Sequence, residues 1–339
     1  MKFAFPLLLV LLAAPVWAQQ TTTQKTTEPS TAEPSAKKVT PADGPTSRTF
    51  RFTYGATLTE LKPGAAVRVW LPVATNTFDQ EASIVSIELP GEHQQTTDSS
   101  HGNNLIYFEA KANEKGEVPM KVLYRVTRRE ITSANYEPIG KRNDVWRKAS
   151  KLVPNSEELR KVVLSDAQAK GSPLEVAKRL YAGVGKHMSY DKPADKPGWG
   201  QGDAVWACDA RFGNCTDFHS LFISAARSLE IPAKFEIGFP IPKERGDGEV
   251  GGYHCWAKFQ SDGNWVPVDI SEADKDPTMA DYFFGNLTEN RVTFSMGRDL
   301  VLQPAPAAAT ANYLAYPYAE VDGKPHKSFR KEFRFEDVK

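Results

Sequence analysis

Three side chains in the second half of the chain have the types and the order that nucleophilic catalysis requires. Cys215 follows Gly-Asn at 213–214 and precedes apolar residues spaced three and four apart, which predicts that it lies in the first turn of a helix. Unpaired backbone N–H groups and the positive end of the helix dipole favour a thiolate at this position. The same N–H groups can stabilise the oxyanion of a tetrahedral intermediate.

His254 and Asp269 lie on two strands that the sequence predicts to be neighbours. Residues 252–259 form one strand, a polar turn follows at 261–264, and the return strand ends at Asp269. Both side chains can then face the N-terminus of the Cys215 helix. Cys, His and Asp in this order fit a nucleophile, a general base and an acid that orients the base.

The motifs around these residues resemble those of the transglutaminase-like (papain-related) superfamily. That family has a Gly-x-Cys helix start, an Ile-Pro-Ala strand entry, a His-x-Trp strand and a Trp-x-Pro-x-Asp strand, which occur here in the same order at 213–215, 231–233, 254–256 and 265–269. The resemblance covers roughly residues 155–302. It implies Cys215 as nucleophile, His254 as general base and acid, and Asp269 as the group that fixes the imidazole. The flanking segments resemble those of exported bacterial members.

Three aromatic residues upstream of Cys215 are candidates for holding the oxyanion or lining the cleft. Related enzymes use an aromatic or amide side chain from this region, and Trp199, Trp206 and Tyr190 all qualify. The alternative is that these rings only pack beside the cleft, and the sequence does not choose among them. His219, four residues after Cys215, is expected to have a structural role because no second metal ligand lies at a suitable spacing.

The two remaining cysteines suggest a disulfide. If Cys215 stays free in an oxidising compartment, Cys208 and Cys255 remain as an even pair, and we hypothesise that they form a bridge. Successive residues of a strand point to opposite faces, so Cys255 is expected to point away from His254. A bridge from Cys208 to Cys215 is the alternative, and it would lock the enzyme off.

The N-terminus predicts export. After Met-Lys, residues 3–16 are apolar and uncharged, and Val-Trp-Ala at 16–18 matches a signal peptide cleaved after residue 18. The apolar run is shorter than the roughly 20 residues of a spanning helix, which argues against an uncleaved anchor. Residues 19–47, mainly Thr, Ser, Pro, Lys, Glu and Ala, predict a disordered linker. We therefore expect a secreted or periplasmic protein without a membrane span after cleavage.

The rest of the chain predicts an α+β fold in three parts. Alternating apolar residues, with strands at 50–54, 66–71, 84–89, 104–110 and 119–126, indicate a β-sandwich over residues 48–135. Helix starts at Ser156 and Ser172 open a papain-like catalytic domain at 150–302, in which the Cys-bearing helix packs on an antiparallel sheet. Residues 303–339 are expected to add a C-terminal β extension.

Composition and motifs exclude several other classes. Lys plus Arg and Asp plus Glu both total 42, so no net charge favours a nucleic-acid or anionic-membrane partner. No zinc spacing or phosphate-binding Gly loop is present, and we expect neither a metal nor a cofactor. The acidic run at 269–276 lacks the pattern of a calcium loop and is expected to be a solvated loop. The sequence favours no oligomeric state.

These observations predict an exported cysteine enzyme that acts on peptide or protein amide bonds through a thioester. Water is always present and no acceptor-binding determinant is visible, so hydrolysis by a peptidase or amidase is favoured over crosslinking acyl transfer to an amine. The alternatives are a non-catalytic peptide- or cell-wall-binding module that keeps the fold, and an extracellular scaffold built around the sandwich.

Overall fold

The computed structural model describes residues 45–140, 144–307 and 310–338. The predicted signal peptide and all but the last three residues of the predicted linker lie outside these ranges. Ser47, the final residue of that linker, begins the first strand. Within the described ranges, no helix has the length and apolar character that crossing a membrane requires.

The structure contains seventeen strands in the described ranges. In chain order they are β1 (Ser47–Leu58), β2 (Ala66–Pro72), β3 (Gln80–Glu88), β4 (His93–Thr97), β5 (Asn104–Lys111), β6 (Val118–Arg129), β7 (Glu137–Pro138), β8 (Ser189–Tyr190), β9 (Phe212–Gly213), β10 (Ala233–Pro240), β11 (Asp247–Glu249), β12 (His254–Ser261), β13 (Asn264–Val268), β14 (Arg291–Met296), β15 (Tyr318–Val321), β16 (Lys324–His326) and β17 (Phe329–Asp337).

Five α-helices and two short 3-10 helices, Asp144–Arg147 and Pro277–Met279, complete the described structure. The α-helices are α1 (Glu157–Val163), α2 (Pro173–His187), α3 (Ala204–Ala210), α4 (Cys215–Ser228) and α5 (Ile270–Lys275). The two predicted helix starts are confirmed. Ser156 caps α1, and Ser172 forms a reciprocal capping box with Glu175 at the start of α2.

Two five-stranded antiparallel sheets form the predicted sandwich. Their strand orders are β11-β17-β1-β6-β3 and β16-β15-β2-β5-β4. The alternation predicted for β1 is confirmed, because Phe50, Phe52 and Tyr54 are fully buried while Arg51 is exposed. Inward-facing side chains of both sheets form one apolar core.

The C-terminal segment completes both sheets of the sandwich. β17 pairs with β1 over nine residues, from Leu58↔Phe329 to Phe50↔Asp337, and β15 pairs with β2. The sandwich core also includes Phe239 and Phe294 from β10 and β14. All described residues therefore belong to one compact unit, and the division at residues 135, 150 and 302 remains a proposal.

A third antiparallel sheet, in the order β14-β10-β12-β13-β7, carries helix α4 on one face. The sequence predicted that one stripe of this helix would be buried. Instead, every residue from Cys215 to Arg227 is buried, because α1, α2, α3 and α5 cover the sides that the sheet does not. The candidate nucleophile thus begins the most enclosed helix of the fold.

Candidate active site

A capping box fixes the start of α4 and with it the position of Cys215. The side-chain oxygen of Asn214 accepts from Thr216 N at 2.9 Å, and the carboxylate of Asp217 accepts from Asn214 N at 2.9 Å. Gly213 allows this close approach, since a Cβ at that residue would lie 2.5 Å from an Asp217 oxygen. The Gly-x-Cys motif therefore has a packing reason as well as a chemical one.

His254 and Asp269 come together at one edge of the sheet. His254 is the first residue of β12, and Asp269 directly follows β13 and caps α5. The Nε2–H of His254 donates to Asp269 Oδ2 at 2.7 Å, and the imidazole lies close enough to the Cys215 sulfur for each group to shift the pKa of the other. The structure thus brings together the three residues that the sequence singled out.

Burial makes the electrostatics of this triad strong. Cys215, His254 and Asp269 expose only 2%, 4% and 0% of their surfaces, so little solvent screens their charges. Burial lowers the pKa of His254, but the Asp269 carboxylate and the Cys215 sulfur outweigh it and raise that pKa to about 10. Burial likewise raises the pKa of Cys215, but hydrogen bonds from Cys255 and His254 and the charge of His254 hold it well below its usual range. A thiolate–imidazolium pair is therefore the favoured state near neutral pH.

Asp269 has hydrogen-bond and ion-pair partners besides His254. Burial raises its pKa, but His254 and the guanidinium of Arg291 hold that pKa far below the usual range of a carboxyl group. Arg291 Nη1 lies 3.2 Å from Asp269 Oδ2, and Glu272 N donates to Oδ1 at 3.2 Å. Sequence reasoning missed Arg291 because only the pairing of β14 with β10 brings it to this site.

His219 has the structural role that the sequence suggested. Its Nδ1–H donates to the backbone oxygen of Cys215 at 2.7 Å, and its Nε2 accepts from Ile270 N at 3.1 Å. These partners require the neutral Nδ1–H tautomer, and burial lowers the pKa of the ring. His219 therefore links the starts of α4 and α5.

Asp217 anchors the loop at residues 200–202 to the start of α4. Besides Asn214 N, its carboxylate accepts from Gly200 N at 2.7 Å and from Gly202 N at 2.9 Å. Burial raises its pKa to about 6, although these backbone N–H groups oppose that effect. Asp217 therefore both caps α4 and holds the loop at residues 200–202.

The three candidate oxyanion or cleft residues have different surroundings. The indole N–H of Trp199 already donates to Pro193 O at 3.0 Å, and Trp206 packs edge-on against Phe212 with ring centroids 5.4 Å apart. Tyr190 lies close enough to Cys215 for the sulfur to contribute to its raised pKa, after the larger effect of burial.

All three cysteines are free, so the structure lacks the Cys208–Cys255 bridge that the sequence suggested. The Cys208 sulfur lies 3.8 Å from His187 Nε2, and the Cys255 sulfur lies 3.7 Å from His219 Nδ1. Cys255 packs in the same apolar cluster as α4 and lies near enough to Cys215 for each thiol to affect the pKa of the other, whereas Trp256, the next residue of the strand, packs in a separate cluster.

The acidic run after Asp269 is a helix and not the solvated loop that we expected. Residues Ile270, Ser271 and Ala273 of α5 are buried. Asp269 at the N-cap and Glu272 three residues later are a recognisable helix-start signal that could have predicted it. Glu272 Oε1 lies 3.8 Å from His254 Nε2 and 2.7 Å from Lys275 Nζ, so α5 places an ion pair beside the triad.

Comparison with known proteins identifies the class of domain. Residues 162–270, which contain the whole triad, match the core model of the transglutaminase-like superfamily. An uncharacterized protein from Haemophilus influenzae is 34% identical over 199 residues, which are 49% of this chain. The match covers 54% of that relative, so the chain spans about half of its length.

Solved structures share the fold at low identity. A candidate cysteine protease from Cytophaga hutchinsonii aligns with a TM-score of 0.52 at 14% identity, over 87% of this chain and 100% of that one. The periplasmic domain of TgpA from Pseudomonas aeruginosa aligns over 65% of this chain and 93% of its own, at 15% identity and a TM-score of 0.32. The family match and the first of these structures show that the protein has a transglutaminase-like domain and fold.

Proposed function

We propose that the protein is a cysteine enzyme that acts on amide or peptide bonds through a thioester on Cys215. The observation that carries this proposal is the buried series in which His254 hydrogen-bonds Asp269 on one side and adjoins the Cys215 sulfur on the other. A pure binding module has no use for a nucleophile, a base and an orienting acid in contact.

Each of the three residues has a distinct role in the proposed reaction. The Cys215 thiolate attacks the carbonyl carbon, and the carbonyl electron pair moves to the oxygen. As the tetrahedral intermediate collapses, the C–N bond breaks and His254 gives its proton to the departing amine. The neutral imidazole then takes a proton from the incoming acceptor, which attacks the thioester and releases the thiolate. Asp269 holds the ring and stabilises its charged form throughout.

The oxyanion of both intermediates needs hydrogen-bond donors. The N-terminus of α4 supplies backbone N–H groups beside Cys215. Among the three aromatic candidates, Tyr190 is favoured as a side-chain donor because it lies near the sulfur, whereas the Trp199 indole already donates to Pro193. Trp206 is assigned to packing.

Hydrolysis is the favoured outcome of the thioester. Water reaches any active site that admits a peptide, whereas transfer to an amine needs a site that selects it. The proposal therefore places peptidase or amidase activity before acyl transfer, with a peptide or protein as substrate. It also includes export, cleavage after residue 18 and a linker that starts at residue 19 and ends before β1, all supported by the N-terminal sequence pattern.

The test is a peptide library incubated with the protein in the presence and absence of a primary amine and analysed by mass spectrometry. Cleaved peptides support hydrolysis, and amine-modified peptides support acyl transfer. A Cys215→Ala variant is the control and must lose either activity. No reaction with the wild-type protein would instead favour the peptide-binding module, and full biological function of the Cys215→Ala variant would favour the scaffold.

A further inference from the structure

Arg291 and His254 share one oxygen of Asp269. Oδ2 accepts from His254 Nε2 at 2.7 Å and lies 3.2 Å from Arg291 Nη1. Arg291 is 4% exposed, so solvent hardly screens this contact. Among the described residues, it is the only Lys or Arg side chain within 4.0 Å of the Asp269 carboxylate.

A stacked tryptophan holds the guanidinium in place. The Arg291 guanidinium carbon lies 4.7 Å from the centroid of the Trp256 ring. The Trp256 indole N–H donates to Glu236 at 2.7 Å, which fixes the ring, and Trp256 lies two residues after His254 on β12. Arg128, from the sandwich strand β6, lies 5.7 Å from the same ring and donates to Thr293 at 2.9 Å. The geometry is therefore built from both the catalytic sheet and the sandwich.

Asp269 and Arg291 have opposite effects on the affinity of His254 for its proton. A carboxylate that bound only His254 would hold the proton of the imidazolium strongly, because their attraction is large in a buried site. Arg291 draws part of the same charge towards itself. The other titratable or charged groups that face His254, Asp269 and Arg291 are Cys215 and His219 on α4, Cys255 on β12, Glu272 on α5, Tyr181 on α2, Tyr282 and Arg128.

We propose that Arg291 is a positioning residue that weakens the hold of Asp269 on His254, so that the imidazolium can release its proton during turnover. This inference rests on the proposed function of the triad and adds the group that regulates its base. Arg291 contacts Oδ2 of Asp269, and we expect it to act through this shared carboxylate oxygen.

The alkylation of Cys215 by iodoacetate at varied pH tests the proposal without a substrate. This anionic reagent reacts fastest with a thiolate beside an imidazolium, so the fall in rate at alkaline pH reports the loss of the His254 proton. The variants are Arg291→Met and Arg291→Gln, which are neutral, and Arg291→Lys, which keeps the charge. Gln also keeps an N–H donor for Asp269, which protects the fold if the Met variant is unstable. Arg160→Met is the matched control, because Arg160 is a buried arginine of α1 that pairs with the exposed carboxylate of Asp166.

The alkaline limb is the fall in alkylation rate at high pH. Removing the positive charge of Arg291 should shift the midpoint of this limb to a pH about one unit higher in both neutral variants. The limb should stay in place in the Arg291→Lys and Arg160→Met proteins. An unshifted limb in the neutral variants, with or without lower rates, would make Arg291 merely structural and overturn the proposal. A wild-type protein without any alkaline limb would instead contradict the thiolate–imidazolium pair, and hence the proposed function.

Discussion

The Nδ1–H of His219 donates to the backbone oxygen of Cys215, so the histidine nearest the nucleophile in sequence serves the helix backbone and not the thiol. Its second nitrogen accepts from Ile270 N, which leaves no lone pair for a proton from a substrate. The proposed role of base therefore belongs to His254, whose strand brings it to the sulfur from a different part of the chain. Two histidines lie near one cysteine, and their hydrogen bonds separate their roles.

Replacing His219 should weaken the fold more than the chemistry. In His219→Asn, the amide N–H still reaches Cys215 O, but Ile270 N loses its buried acceptor, at a cost of about 1–3 kcal/mol in the free energy of unfolding. Urea denaturation measures this loss, and iodoacetamide labelling measures the thiol. We expect Cys215 to label at near the wild-type rate, whereas in His254→Ala it should label far more slowly. The opposite order of labelling would make His219 the base.

Removing the charge of Asp269 should make the thiol less reactive. In Asp269→Asn, burial lowers the pKa of His254 without the opposing carboxylate, so the ring is neutral near pH 7 and no longer stabilises the thiolate. We expect iodoacetamide labelling of Cys215 at pH 7 to slow by about one to two orders of magnitude. Asp203→Asn is the matched control, since Asp203 also caps a helix through its carboxylate. Equal slowing in the control would mean that the effect reflects lost helix capping.

The stability conferred by Asp217 should depend on pH with a definite sign. Burial raises its pKa in the folded protein to about 6, above the usual 3.8. Its contribution to stability is therefore fully present below about pH 3.8 and is lost as the pH rises through about 6. The gap in unfolding free energy between the wild type and Asp217→Asn should shrink by roughly 3 kcal/mol from acid to pH 8, at about 1.4 kcal/mol per pKa unit. Urea denaturation across this range measures the gap. A gap that widens would show that the three N–H bonds outweigh burial.

Loss of the Tyr190 hydroxyl should slow the chemical step. If this group donates to the oxyanion, Tyr190→Phe should lower kcat by about a hundredfold and change KM little, because the bond strengthens only as charge develops. The assay uses a peptide that the wild-type protein converts in the library experiment. Trp199→Phe removes the bond to Pro193 and serves as the comparison. A larger loss of kcat in the Trp199 variant would move the oxyanion role to that indole.

Each candidate site residue that the sequence identified lies in a short local motif. Cys215 was readable from a helix start, and His254 and Asp269 from a predicted hairpin, because each signal spans only a few residues. The strands of the sandwich were readable for the same reason, although the sequence missed β4, whose residues His93–Thr97 are all polar.

The residues that the sequence missed depend on packing between distant segments. Arg291 reaches Asp269 only when β14 pairs with β10, and nothing in its own neighbourhood marks it. Asp217 anchors the loop at 200–202 through backbone N–H groups, which carry no sequence signal. The C-terminal strands were expected as an extension, but their pairing with β1 and β2 joins residues more than two hundred positions apart. Such contacts follow from the assembled fold.

The most direct test of the central claim is to trap the acyl intermediate and find its position. The wild-type protein is incubated with the reactive peptides, quenched in acid and examined by intact mass and peptide mapping. We predict an acyl adduct on Cys215 that hydroxylamine removes, as expected of a thioester, and that is absent from Cys215→Ala. An adduct on Cys208 or Cys255, or no adduct with peptides that are nevertheless cleaved, would contradict the assignment of Cys215 as the nucleophile.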